Sequence, residues 1–223
     1  MRGRRPLRYL AAWLGWLAAG GLAGVALRIG PGLGPGPVDR GVGRFVHAHR
    51  PGLPVLTAVA RELTRVGDPS IATAVVASVG LGLVVARRWA AGLVVVAAAV
   101  GGNGLANALK RVFHRQRPEL AMQLVLSSAP SFPSAHATLA GVAASLLSVA
   151  AMRSGLRAGP RAALVGVAWL WGLGVAASRV WLGVHYLTDV ATGLLLGAGW
   201  AWSASRIGLR GEPAVAKGVG TCL

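Results

Sequence analysis

The sequence predicts an all-α polytopic membrane protein with six transmembrane helices and a short interfacial helix between spans 1 and 2. Three observations lead there. Of 223 residues, 54% are hydrophobic and only 13% charged, whereas about a quarter of an ordinary soluble domain is charged. Six predominantly apolar runs approach the roughly 20 residues that cross a hydrocarbon core. The remaining charge is one-sided, with 23 Lys and Arg against 6 Asp and Glu, a formal net charge of +17. The apolar fraction excludes a disordered chain, and the low charge density argues against nucleic acid as a partner.

The elements follow in order. Span 1, Tyr9–Leu27, comes after a basic leader of Arg2, Arg4, Arg5 and Arg8, and its apolar run is longer than a usual signal-peptide core, so it reads as an N-terminal anchor. A Gly/Pro break at Gly30–Pro37 ends it. Leu53–Val66 places apolar residues at helical spacing with Arg61, Glu62 and Arg65 opposite, the pattern of a helix lying at the membrane interface. Spans 2 and 3, Pro69–Ala86 and Trp89–Leu109, are parted by Arg87-Arg88. After a long loop, Lys110–Pro133, come span 4 (Ala135–Met152), a basic link (Arg153–Arg161), span 5 (Ala162–Ser178) and span 6 (Tyr186–Ser205).

Residues 206–223 form a short tail, and the whole chain is expected to be one integral-membrane domain. Gly20-x-x-x-Gly24 and Gly193-x-x-x-Gly197 are close-packing signatures. Most Trp residues, such as Trp13, Trp16, Trp200 and Trp202, suit aromatic belts or lipid-facing positions. Basic residues divide almost evenly between the two sides. The short basic links Arg87-Arg88 and Arg153–Arg161 nevertheless favour cytoplasmic N- and C-termini in the plasma membrane.

Ionisable residues at span ends are functional candidates, and three clusters stand out. Lys110 and Arg117 lie seven residues apart and share a face if the helix continues to Pro118. Ser134 and His136 open span 4, with Ser134 placed as an N-cap, where backbone N–H groups attract anions. Ser178-Arg179 closes span 5, and His185 and Asp189 stand four apart at the start of span 6, the spacing of a pair on one helical face. Span parity alone puts all three clusters on one membrane face. Three cations, a helix N-terminus and two histidines together suit a highly charged oxyanion, most simply phosphate.

Lys110-x6-Arg117-Pro118, Pro133-Ser134-Ala135-His136 and Ser178-Arg179-x5-His185-x3-Asp189, in this order, resemble the three-part signature of the type 2 phosphatidic acid phosphatase (PAP2) superfamily, in its bacterial membrane lipid phosphatase branch. The resemblance implies that His185 attacks phosphorus to form a phosphohistidine, that Asp189 orients His185, and that His136 serves as general acid and then base. It also implies that Lys110, Arg117, Ser134, Ala135 and Arg179 bind the phosphate oxygens, with no metal and no other cofactor. Its implied substrate is a lipid mono- or diphosphate of the polyprenyl diphosphate, phosphatidylglycerophosphate or phosphatidic acid type, met at the outer face among membrane lipids.

Ala135 departs from the Gly more common there; Ala is tolerated if the position lies in the first helical turn and strained if it needs positive φ. Phosphotransfer to another alcohol, vanadate-dependent halide oxidation and a six-span anion transporter are the alternatives, and the His185–Asp189 pair favours covalent chemistry over permeation. Arg111 and Arg115 read as snorkelling interfacial cations, His114 as interfacial filler, and His47-x-His49 as weak evidence for a metal.

Overall fold

The computed structural model describes residues 34–209. The expected first span and the Gly20–Gly24 pair lie outside them. All regular structure among the described residues is helical: α1 Pro37–His49, α2 Pro54–Val66, α3 Pro69–Val85, α4 Trp89–Phe113, α5 Ala135–Arg153, α6 Ala158–Trp181 and α7 Leu187–Gly208. Short 3-10 turns occupy Arg50–Gly52 and Leu120–Met122.

Proline opens α1, α2 and α3, at a position where its missing N–H has no helical partner to lose. Asp68 caps α3 by accepting from the Ser70 and Ile71 N–H groups at 2.9 and 3.3 Å. The expected helix over Leu53–Val66 is present as α2. Helix α1 was not foreseen, because Gly41, Gly43 and several charges obscure its periodicity.

Helices α4, α5 and α6 are each long and apolar enough to cross a membrane. Helices α2 and α3 reach that measure only together, with a 46° bend between them. Helix α7, expected as a span, falls short because Thr188, Asp189, Ser203, Ser205 and Arg206 dilute its apolar run. Helices α4 and α6 both overrun their expected ends, to Phe113 and Trp181.

Helix α5 sits at the centre, packed against α4, α6 and most extensively α7. Glycine makes the last contact possible. A Cβ on Gly197 would stand 1.9 Å from the Thr138 carbonyl oxygen, one on Gly193 2.6 Å from that of Ser134, and one on Gly141 2.3 Å from that of Leu194. The Gly193–Gly197 pair is therefore a real close-packing surface. It holds the N-terminal ends of α5 and α7 together, where the Ser134 N–H donates to the Asp189 carbonyl at 3.1 Å. Trp200 is half-buried, lies against Gly101 and Gly102 and donates to the Ala97 carbonyl.

Candidate active site

The first cluster is built by a helix that stops early. Helix α4 ends at Phe113, and His114 takes a left-handed φ of 43°, its N–H donating to the Lys110 carbonyl at 3.1 Å, an αL termination. Lys110 and Arg117 therefore do not share a helical face as expected. Lys110 stays on α4 and Arg117 reaches the site from the loop. The Lys110 ammonium donates to the Pro130 carbonyl at 2.6 Å. Arg117 donates to the Ala129 and Val184 carbonyls at 2.7 and 2.6 Å and to His185 Nε2 at 3.2 Å.

Two loops thus converge, residues 114–134 and 182–186, stitched further by the Leu124 N–H to the Leu182 carbonyl at 2.9 Å. His185 precedes α7 rather than lying on it, yet its Nδ1 meets Asp189 Oδ2 at 3.4 Å. Asp189 also accepts from the Ser131 hydroxyl at 2.5 Å and the Tyr186 N–H at 2.8 Å, which closes a capping box at the start of α7. Because guanidinium only donates, the Arg117 contact requires a lone pair on His185 Nε2, and the ring proton then sits on Nδ1, facing Asp189. Burial holds the imidazole down to about 3, against the pull of Asp189 and helped by Arg117 and Lys110. His185 is neutral at physiological pH. Burial likewise lowers the Arg117 pKa, with Asp189 opposing.

The second cluster sits where α5 begins. Ser134 is the N-cap, but its hydroxyl caps nothing and is buried without a partner. Ala135 occupies the first helical turn, and positive φ among non-glycine residues is confined to Arg87 and His114 within the described residues. His136 lies within electrostatic reach of Arg179, His185, Lys110 and Arg117. In the third cluster Arg179 donates to the Thr64 hydroxyl of α2 at 2.5 Å, while its Nε is buried and unpartnered. Buried polar atoms left unpaired are uncommon. Two such atoms, Ser134 Oγ and Arg179 Nε, belong to residues of the second and third clusters.

Arg115 overturns its expectation as a snorkelling cation. It is 3% exposed and donates to Asp189 Oδ1 at 2.5 Å, Asp39 Oδ2 at 2.7 Å and the Thr188 hydroxyl at 2.8 Å. Asp39 on α1 in turn accepts from the Thr188 N–H and hydroxyl at 3.0 and 2.7 Å. Sequence reasoning missed Arg115, Asp39, Ser131 and Thr64. Only Asp39 left a signal, as one of six acids in a chain with 23 cations. His114 is exposed.

A neutral nucleophile backed by a carboxylate, a second histidine and several cations around unfilled donors can accept and transfer a phosphoryl group. Comparison with known proteins agrees: residues 89–211 match the family model of the PAP2 superfamily. The chain belongs to the PAP2 superfamily. Two curated relatives, each a decaprenylphosphoryl-5-phosphoribose phosphatase, are similar to it. That of Mycobacterium tuberculosis is 37% identical over 148 residues, 65% of this chain and 76% of the relative. That of Mycolicibacterium smegmatis is 40% identical over 151 residues, 66% and 74% respectively.

Among solved PAP2 structures, a phosphatidylglycerolphosphate phosphatase from Bacillus subtilis superimposes with a TM-score of 0.72 over 91% of this chain and 96% of that one, at 23% identity. LpxE of Aquifex aeolicus superimposes at 0.55 over 74% and 92%, at 19% identity. At such identities the fold alone is shared. The chain is a PAP2-type phosphatase with membrane-crossing helices.

Proposed function

We propose that the protein is a metal-independent lipid phosphatase working through a phosphohistidine, with six spans, cytoplasmic termini and its site at the outer face of the plasma membrane. The observation that carries this is the Arg117–His185–Asp189 chain of contacts, which leaves the Nε2 lone pair as a nucleophile and Nδ1–H anchored on a carboxylate.

Nε2 attacks phosphorus and the P–O bond to the lipid breaks. His136 gives its proton to the leaving alkoxide, then takes one from the water that cleaves the P–N bond and releases phosphate. Arg117 must leave Nε2 as substrate enters, and it follows the phosphate oxygens. Lys110, Arg179, the Ser134 hydroxyl and the Ala135 N–H hold those oxygens and offset the charge that grows in the transition state. Asp189 keeps the ring in its tautomer and steadies the phosphoimidazole.

The mycobacterial relatives favour a polyprenyl-linked phosphate of the decaprenylphosphoryl-5-phosphoribose kind as substrate, ahead of polyprenyl diphosphate, phosphatidylglycerophosphate and phosphatidic acid. The test is phosphate release by purified protein in detergent from this panel, with and without EDTA, beside His185→Ala and His136→Ala. Release that survives EDTA and disappears in both variants is expected. Full activity in His185→Ala, or loss with EDTA, overturns the mechanism. Transfer of the phosphoryl group to an added alcohol in preference to water would make the enzyme a phosphotransferase using the same site.

A further inference from the structure

His185 stands in the wall of a second space. A cleft of about 220 Å³ runs from it beneath α1, between the 3-10 turn after Pro118 and the loop that carries Gly183. That is the share of liquid volume of about seven waters at ~30 Å³ each, room for a phosphate and a short polar linker. Arg40, Arg44, His47 and Arg50 line it. Of the two acids in the lining, Asp39 is buried in an ion pair with Arg115, a cation it shares with Asp189, and Glu119 is the other.

The four basic groups are not equivalent. Arg50 is tied to the Met122 and Trp181 carbonyls at 2.8 and 3.2 Å and sits 3.5 Å from His47 Nδ1, so it braces the floor. Arg40 and Arg44 lie one helical turn apart on α1 and are both exposed. Among the described residues, the Arg40 side chain donates to the Pro35 carbonyl alone, and Arg44 has no hydrogen-bond or ion-pair partner. Two guanidinium groups one turn apart, with no carboxylate bonded to either among the described residues, suit an oxyanion.

We propose that this cleft is a second anion subsite, in which Arg40 and Arg44 bind a phosphodiester of the same substrate molecule whose terminal phosphate is on His185. The two arginines are then specificity-determining residues, selecting lipids that carry a phosphate monoester joined through a short polar linker to a phosphodiester. The inference rests on His185 being the phosphoryl acceptor.

The test uses the full chain in mixed micelles with two substrates of identical acyl chains: phosphatidic acid, with one phosphate, and phosphatidylglycerophosphate, with a monoester and a phosphodiester. The wild type is expected to prefer the second by at least about 10-fold in kcat/KM, the effect of roughly one charge-assisted contact worth ~1.4 kcal/mol. Arg40→Gln/Arg44→Gln should lower kcat/KM for phosphatidylglycerophosphate by that factor while phosphatidic acid changes less than about 2-fold.

Equal loss on both substrates, or no loss on either, overturns the subsite. Phosphatidic acid hydrolysis that depends on added phosphatidylglycerol in the wild type but not in the variant overturns it too, because the anion would then belong to a separate lipid. No release from phosphatidylglycerophosphate by the wild type overturns the subsite, whereas activity retained by His185→Ala refutes the acceptor role itself, and the subsite falls with it.

Discussion

Replacing Arg115 by Gln tests whether the site is held by its buried ion network. The substitution removes donors to Asp189 Oδ1, Asp39 Oδ2 and the Thr188 hydroxyl, at 2.5, 2.7 and 2.8 Å. Both carboxylates have 0% side-chain exposure, so they would lose their shared cation where water cannot replace it. Breaking a buried pair by deleting one partner costs about 3–5 kcal/mol. Arg115 serves two carboxylates, but Asp189 keeps Ser131 and the Tyr186 N–H, and Asp39 keeps both Thr188 donors. A loss near the upper end, about 5 kcal/mol, is therefore expected.

For a chain of this length each kcal/mol moves Tm by about 2–4 °C, which gives a fall of about 10–20 °C. Thermal unfolding followed by tryptophan fluorescence in detergent measures it. In an Asp39→Asn background the same substitution should cost less, since one of the stranded charges is gone, with a coupling of about 0.5–3 kcal/mol. A fall of under about 2 °C for Arg115→Gln, the size of an ordinary surface change, or strict additivity in the double variant, refutes the reasoning.

Other outcomes follow from the same geometry. His185 has a folded pKa of about 3, below its ordinary value of about 6.5. The native state thus binds fewer protons than the unfolded chain, and stability present above about pH 6.5 is lost as the pH falls toward 3. Histidine ¹⁵N spectra should keep this ring neutral from about pH 8 to about pH 5, and Arg117→Gln should raise its pKa by removing a cation; protonation near pH 6.5 in the wild type contradicts both. Gly197→Ala should lower Tm, because its Cβ would meet the Thr138 carbonyl at 1.9 Å and overpacking costs about 1–3 kcal/mol. Gly82→Ala, with open space around it, serves as the control and should not melt earlier. Ser134→Ala should leave Tm almost unchanged, since the hydroxyl has no protein partner, yet weaken inhibition by inorganic phosphate about 10-fold, the loss of roughly 1.4 kcal/mol of anion contact; an unchanged inhibition constant would remove Ser134 from the anion site.

The parts of this protein legible in the sequence are those that local chemistry dictates. Apolar runs mark α4, α5 and α6, and the spacing of Lys110, Arg117, His136, Arg179, His185 and Asp189 names a cluster whose members the fold brings within electrostatic reach. What escaped detection depends on chain reversal and long-range pairing. His114 adopts a left-handed turn that no pattern around it announces, and this turn sends Arg115 inward and Arg117 sideways. Asp39 meets Arg115 across 76 residues, so neither residue has a nearby partner to betray it. Helix α1 stayed hidden because its apolar positions serve a partly exposed surface, and Thr64 became part of the site only through Arg179, 115 residues away.

The backbone contact between α5 and α7 has a consequence for how such an enzyme can diversify. His136 rides on α5, and Asp189 on α7 contacts His185, so the two histidines proposed to react are carried by helices that meet closely at Gly193 and Gly197. On the proposed reading, chemistry and choice of lipid rest on separate parts of the fold, one on the glycine contact between α5 and α7 and the other on the arginines of α1.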